Sequence, residues 1–468
     1  MTLVRWFCNT MLCIAKSFDS YLKTNFFMKK IIRACTVSLS VGFVAGMLPD
    51  LMKKYEVVLL SSPGPEMDEA HERYRVRTIE LPMERHISLM RDMVSLWRII
   101  KVFWKERPDM VHSMTPKAGL LCMVAAWLTR VPVRVHTFTG LVFPTATGLQ
   151  RRILMATDAL TCFCATHVIP EGEGVKNDLL NNGITKKPLR VLGYGNVMGI
   201  DMKRFDPKRF NGNVNGNGNL NGDDNVNVDV NDNGEAKKVP VNVPVLVKNT
   251  FVFLFVGRIV RDKGMDELMA AFDMLSKKYP QTRLVLVGPY EDSLDPVSDE
   301  TRRIIKDNPA IEAVGTKRGD DLLAYYAAAD CFVFPSYREG FPNTVIEAGA
   351  MGLPCIVTDI NGSREIIVNG NGQRAMLAHT FRCENVNGNE TLRYENGSGS
   401  VVVKDNGLII PSKDAEALYE AMEMMMTDEE MRQGMASRAR QMIADRFEQG
   451  FVRRCLYDFY DEIIERER

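Results

Sequence analysis

Cys331-Phe332-Val333-Phe334-Pro335-Ser336-Tyr337-Arg338-Glu339-Gly340-Phe341-Pro342-Asn343-Thr344-Val345-Ile346-Glu347 holds a strand, a loop and the start of a helix in one run. The apolar run Cys331–Phe334 is too short for a helix and rich in β-formers, so it reads as a buried strand. Pro335 and Gly340 break the pattern. Asn343 or Thr344 is placed to cap a helix running through Val345, Ile346, Ala348 and Met351. A strand, a loop and a helix N-terminus in that order are where an open α/β sheet binds anionic ligands. Two carboxylates flank the junction, Glu339 in the loop and Glu347 about one helical turn further in. Spacing alone leaves open an ordinary loop Glu and a helix-surface Glu.

The chain has 468 residues, too many for a single core, and composition is that of a globular protein: 25% charged, 46% hydrophobic. Net charge is zero, which gives no argument for nucleic acid as a partner. Its distribution is uneven, with 25 Lys and Arg against 16 Asp and Glu from Met28 to Phe205. A basic front half suits an anionic partner, such as a phospholipid surface or a diphosphate-bearing acceptor, as well as it suits a plain solvated surface. Ten cysteines without a CxxC pair point to a reduced, cytoplasmic setting and to no metal site. No apolar run reaches the ~20 residues that cross a bilayer, so membrane attachment is expected to be peripheral.

Residues 1–27 lack signal-peptide anatomy, and Met28-Lys29-Lys30 precedes a strand, so Met28 is expected to be the biological start. From there short strands alternate with helices, which implies a parallel sheet. The expected strands are Ile31–Val37, Val57–Ser61, Arg77–Leu81, Met110–His112, Val133–Phe138, His167–Ile169 and Arg190–Leu192. The helix Ile87–Trp104 has apolar residues at Met90, Met93, Val94, Trp97 and Ile100, with Arg91, Arg98 and Lys101 interspersed. It is expected to cover the sheet with its cations snorkelling, the alternative being to lie on an anionic membrane. Past two strand ends stand polar groups, His112 and Lys117 after the first and His136 in the second. A lone strand-end His is more often structural than catalytic.

Asn211–Glu235 is an Asn/Gly/Asp tract that cannot bury enough apolar surface to order itself. It is expected to be a flexible linker insertion, and roughly 369–406 a surface excursion from the second domain. That domain opens with the strand Thr250–Val256 and Gly257-Arg258, then Lys263 at the start of a helix. A strand tip and a helix N-terminus bearing two cations are what a diphosphate needs. At the end of the chain, Gln449–Glu465 has apolar pairs every four residues and reads as an amphipathic helix.

Gly257-Arg258 with Lys263, then Glu339-x7-Glu347, then Gly352-Leu353-Pro354, resemble the signature of retaining glycosyltransferases of the group 1, family 4 type. The segments Thr115–Leu121 and Thr137–Gly140 are similar to a bacterial branch that extends undecaprenyl-diphosphate-linked sugars. The resemblance implies an α/β, GT-B fold: two Rossmann-like domains facing a cleft, with a C-terminal helix crossing back to the first. It implies an extension at 1–27, an acceptor domain at 28–205, a linker at 206–249, a nucleotide-sugar domain at 250–447 and the crossover helix at 448–468. Catalytic roles fall on Glu339, Arg258 and Lys263. Glu339 would contact the transferred sugar, and the two cations the diphosphate. Glu347 would hold the ribose, Val314 and Gly315 the base, and Gly340, Phe341 and Asn343 the sugar or phosphate. His112, Lys117 and His136 would face the acceptor. Phe138 stands where relatives often carry a His, which weakens the case for a catalytic imidazole.

The implied partners are a UDP-sugar and a saccharide or lipid-diphosphate-linked acceptor, with peripheral membrane contact and no cofactor. The competing readings are a GT-B-like UDP-sugar 2-epimerase and a non-catalytic nucleotide-sugar-binding protein. A Rossmann dehydrogenase is disfavoured because no Gly-rich fingerprint follows the first strand.

Overall fold

The computed structural model describes residues 28–84, 88–210, 227–230, 236–239, 250–292, 295–369, 381–386, 389–394 and 400–466. The expectations for residues 1–27, and most of those for Asn211–Glu235, lie outside the described residues. The chain divides into two compact units. One holds the residues up to Pro170, Leu179–Arg190 and Cys455–Arg468; the other holds Glu171–Asp178 and Val191–Arg454.

The first unit is built on a six-stranded parallel sheet of β1 (Lys30–Ala34), β2 (Glu56–Ser61), β3 (Arg77–Glu80), β4 (Met110–Met114), β5 (Val133–Phe138) and β6 (His167–Pro170), in the order β3-β2-β1-β4-β5-β6. Apart from the edge strand β3, which is half-exposed, its strands are buried along most of their length, as parallel sheets require. Ile32 of β1 sits in register with Val58 on one side and Val111 on the other. Strand order reverses between β1 and β4, where Arg33 is paired with His112.

Helices α1 (Leu48–Lys54) and α2 (Pro65–Tyr74) connect the first three strands. The next three connections carry α3 (Leu89–Glu106), α4 (Pro116–Leu128) and α5 (Gly148–Cys164). Right-handed crossovers running one way along the sheet put these three on the same face. The helix α6 (Glu173–Asn181) follows β6. Arg190–Leu192 forms no strand: Pro188 precedes it and Gly193, at φ 57°, follows it, leaving no room to pair.

α3 departs from expectation. Its buried positions are Ser95, Ile99 and Phe103, whereas Met90, Met93, Val94, Trp97 and Trp104 are exposed. Small Ser95, whose hydroxyl donates to the Pro82 carbonyl at 2.9 Å, lets the helix approach on that side and turns the bulkier stripe outward.

The second unit carries β7 (Phe251–Val256), β8 (Thr282–Val287), β9 (Ile311–Gly315), β10 (Cys331–Phe334), β11 (Cys355–Thr358), β12 (Val402–Lys404) and β13 (Gly407–Ile410), in the order β9-β8-β7-β10-β11-β13-β12. The order reverses between β7 and β10. Strands 389–394 and 381–386 continue the antiparallel edge beyond β12. The described part of the 369–406 insertion therefore extends the sheet and is not a bare surface excursion. The helices are α7 (Met265–Lys278), α8 (Asp299–Asp307), α9 (Gly319–Ala328), α10 (Asn343–Ala350), α11 (Ser363–Ile366), α12 (Ala415–Thr427), α13 (Glu429–Phe447) and α14 (Gln449–Arg466). Phe253, Phe255, Phe272 and Phe332 fill its core. Truncating one such ring to Ala costs about 3–5 kcal/mol.

The last turns of α14 belong to the first unit. Their contacts follow from the four-residue apolar period: Tyr460 is buried, and Asp461 beside it takes Lys54 and the Tyr55 hydroxyl, each at 2.7 Å.

Candidate functional site

In the second unit the tips of β7, β8 and β9 end in Gly257, Gly288 and Gly315. They are tied in series by Gly257 N–H to Val287 O and Gly288 N–H to Gly315 O, both 2.9 Å. Gly288 lies at φ 147°, and a Cβ there would stand 1.8 Å from the Gly257 carbonyl oxygen, so only glycine fits. Gly315, at φ 70°, has open space around it, and Val314 beside it is half-buried.

After Gly257 the chain presents Arg258, whose guanidinium pairs with the Glu291 carboxylate. Burial works against that charge, but Glu291 outweighs it and holds the group above its ordinary value. A short turn, Arg261–Lys263, then leads into α7, which starts at Met265, two residues later than expected. Gly264 makes the turn possible: at φ 70°, a Cβ would lie 2.0 Å from the Pro335 carbonyl oxygen.

That close approach brings Lys263 onto the loop after β10. Its ammonium pairs with Glu339, and both side chains are largely buried. The Ser336 hydroxyl donates to the same carboxylate at 2.8 Å. Lys263 Nζ also stands 5.5 Å from the centre of the Phe334 ring.

The loop enters α10 through Pro342, which occupies the N-cap position with no side-chain cap. Neither Asn343 nor Thr344 caps the helix; Asn343 is already its first residue, and its Oδ1 accepts from Asn196 Nδ2 at 2.8 Å. An uncapped N-terminus keeps its positive dipole end available to an anion. Gly340 and Phe341 are buried, and the Phe341 ring meets Phe447 edge-on at 5.4 Å, so this side chain supports the loop from below. One turn into α10, Glu347 accepts from the Tyr326 hydroxyl at 2.9 Å. Burial pushes its carboxyl up to about 7, against that hydrogen bond.

The sequence reading missed Glu171, the residue after β6. It is buried, and its carboxyl is pushed up to about 8, first by burial and then by the carboxylates of Glu339 and Glu365. Glu365 in turn accepts the backbone N–H groups of Glu173 at 2.7 Å and Gly174 at 3.0 Å. A strand-end Glu before Gly172-Glu173-Gly174 was the one signal in the sequence. What concealed it is that Glu171 and Glu339 lie far apart along the chain.

The first-unit residues are placed differently. His112 and His136 are each 1% exposed. His112 Nδ1 meets the Tyr460 hydroxyl at 2.5 Å and Arg33 at 2.8 Å, and its Nε2 meets Thr137 at 2.7 Å. His136 pairs with Ser113 at 2.9 Å, and α4 presses on its ring at Gly119, where a Cβ would lie 2.3 Å from the imidazole. Burial pulls both imidazoles below their ordinary values, His136 to about 3. Both rings are therefore buried among side chains of their own unit and join the sheet to its neighbours, where the sequence led us to expect them at an acceptor-facing strand tip. Lys117 is bonded to Asp92 at 2.8 Å, linking α4 to α3.

The second unit thus concentrates cations, carboxylates and an uncapped helix end at the switch of its strand order, an arrangement fit for a phosphorylated, hydroxylated ligand. Comparison with known proteins agrees. The family model described as glycosyl transferases group 1 matches residues 250–385, and that described as glycosyl transferase 4-like domain matches residues 48–195. The capsular polysaccharide biosynthesis glycosyltransferase CapM of Staphylococcus aureus is 28% identical over 438 residues, covering 93% of this chain and 98% of its own. The UDP-Gal:alpha-D-GlcNAc-diphosphoundecaprenol alpha-1,3-galactosyltransferase of Escherichia coli is 28% identical over 289 residues, 61% of this chain and 66% of its own. In fold the chain is similar to Anabaena HepE, solved in complex with UDP, with TM-score 0.63, 13% identity, and coverage of 92% of this chain and 100% of that one. With its second half matched by the glycosyl transferases group 1 model and its first by the glycosyl transferase 4-like model, in chain order, the chain is a glycosyltransferase of GT-B fold.

Proposed function

We propose that this glycosyltransferase moves a sugar from UDP to a lipid-diphosphate-linked saccharide, with retention of anomeric configuration, in the assembly of a surface polysaccharide. The observation that carries the reading is the Lys263–Glu339 pair beside the uncapped start of α10. Arg258, Lys263 and the α10 amides take up the charge of the departing diphosphate. Donors already aimed at developing charge are usually the main source of rate enhancement in group transfer. Glu339 orients the transferred sugar and is not a nucleophile; the incoming hydroxyl attacks on the face the diphosphate leaves. Glu347 accepts from the ribose hydroxyls, and the base lies against Val314 and Gly315, where the backbone is open.

Support for the donor comes from the UDP bound to HepE, and support for the acceptor from the diphosphoundecaprenol in the name of the E. coli relative and the capsular role in the name of CapM. A lipid-linked acceptor brings the enzyme to the cytoplasmic face of a membrane as a peripheral protein. Among the described residues no helix is long and apolar enough to cross one.

The test is UDP release, donor by donor, from purified protein with and without a membrane extract of polyprenyl-diphosphate-linked sugars. Release that requires the lipid fraction is expected. UDP binding without release under any donor and acceptor pair would overturn the reading.

A further inference from the structure

We infer that the outer face of α3, α4 and α5 is a docking surface for an anionic phospholipid bilayer. The three helices form one layer on the first unit's sheet, α3 beside α4 and α4 beside α5. The outward stripe of α3 carries Met93, Trp97 and Trp104, at helical spacing and exposed, with Trp97 57% and Trp104 72% accessible. The outward stripe of α5 carries Ile153, Leu160 and Phe163, the last 64% accessible. Trp127, at the end of α4, joins them: its ring lies 6.1 Å from that of Phe163. Scattered exposed apolar residues are ordinary, whereas a continuous field of them marks an interaction surface.

Charge selects the occupant. Arg98, Lys101 and Lys105 are exposed on α3 and Arg152 on α5. The two carboxylates of α3 point to cations: Asp92 bonds Lys117 at 2.8 Å, and Glu106 bonds Lys30 at 3.2 Å as well as Arg77. Asp158, the sole carboxylate of α5, is half-buried, and burial pushes it up to about 7. The face therefore offers cations among aromatic rings, and Lys101 Nζ stands 3.4 Å from the centre of the Trp97 ring. Tryptophans with Lys and Arg around an apolar stripe are the composition of an interfacial helix layer, where each cation adds attraction to an anionic leaflet. A second protein as occupant has no such argument from charge.

The test is flotation of the full chain with phosphatidylcholine vesicles and with vesicles containing phosphatidylglycerol, neither carrying a glycosyl acceptor. The readout is thus independent of transfer, and its failure leaves the proposed reaction standing. Binding to the phosphatidylglycerol vesicles is expected, with a blue shift of tryptophan emission. The exposed-site pair Trp97→Glu and Phe163→Glu should weaken it at least tenfold, with the thermal midpoint and UDP affinity unchanged. Equal binding by the variant, no binding by the parent, or a dimer in solution that these substitutions dissociate without any vesicle binding would overturn the inference.

Discussion

The two sheets reverse strand order in the same way and use that place differently. At the switch of the first, Arg33 and His112 lie side by side and are closed over by the Tyr460 hydroxyl; Arg33 Nε is buried without a partner. At the switch of the second, the strand tips turn on glycines and present Arg258, Lys263 and Glu339 in pairs. The same reversal of strand order supplies a place for a ligand. The side chains at the tips decide whether that place is sealed or chemical. Breaking the two switches should therefore give opposite phenotypes.

The largest effect is expected at the second switch. Glu339→Gln keeps the shape and the Ser336 hydrogen bond but removes the charge facing Lys263. It should lower kcat by roughly 10²–10³, the scale for losing one preorganised electrostatic group. Lys263→Ala should add a loss of UDP affinity. Steady-state UDP release and calorimetric titration of UDP separate the two; unchanged turnover in both variants would remove the site assignment.

The first switch should respond in stability instead. Tyr460→Phe strips the hydroxyl shared by Arg33 and His112, leaving buried polar groups short of a partner at about 1–3 kcal/mol. Chemical denaturation should report that loss while kcat under saturating substrate stays within about twofold. A fall in kcat without a fall in stability would mean that this switch also takes part in the chemistry.

How much of this the sequence discloses depends on separation along the chain. The strand–loop–helix around Glu339 is legible because its strand, breakers and apolar helix face are contiguous, and so are the parallel strands with their buried runs. Glu171 is illegible because its carboxyl is raised by burial and then by the charges of Glu339 and Glu365, which lie far along the chain. The sheet-facing side of α3 is misjudged for a related reason. A helix with two apolar stripes does not say which one is covered, and Ser95 decided it. His112 and His136 look like ligand groups in a sequence, and only the packed partners show them to be fastened inside.

Two buried groups, one in each unit, also differ in how they titrate. Burial raises Glu171 from the carboxylate range to about 8, so the native state holds that proton more tightly than the unfolded chain. The stability this contributes is present below about pH 4.5 and is lost as pH rises towards 8. His136 is depressed to about 3, so its contribution is present above about pH 6.5 and is lost as pH falls towards 3. Each limb has a slope of at most about 1.4 kcal/mol per pH unit for one proton. Glu171→Gln should flatten the alkaline limb alone, and His136→Gln the acid limb alone. Denaturant midpoints between pH 4 and 9 read both, and an exchange of limbs would refute the assignment.

The smallest effect is expected at Glu291, and it asks how open the second switch is. Its pair with Arg258 is partly solvated, with side chains 42% and 20% accessible for Arg258 and Glu291, and pairs of that kind contribute about 0–1 kcal/mol. A nucleotide diphosphate that takes Arg258 must draw it from Glu291, so the carboxylate competes with the ligand. Glu291→Gln should then tighten UDP binding by up to about fivefold, the equivalent of that energy, and the gain should shrink as salt screens the charges. Weaker binding in the variant would mean the reverse relation. Glu291 would be holding Arg258 in the pose the diphosphate needs, and the second switch would be preorganised by its carboxylates as the first is by its hydroxyls.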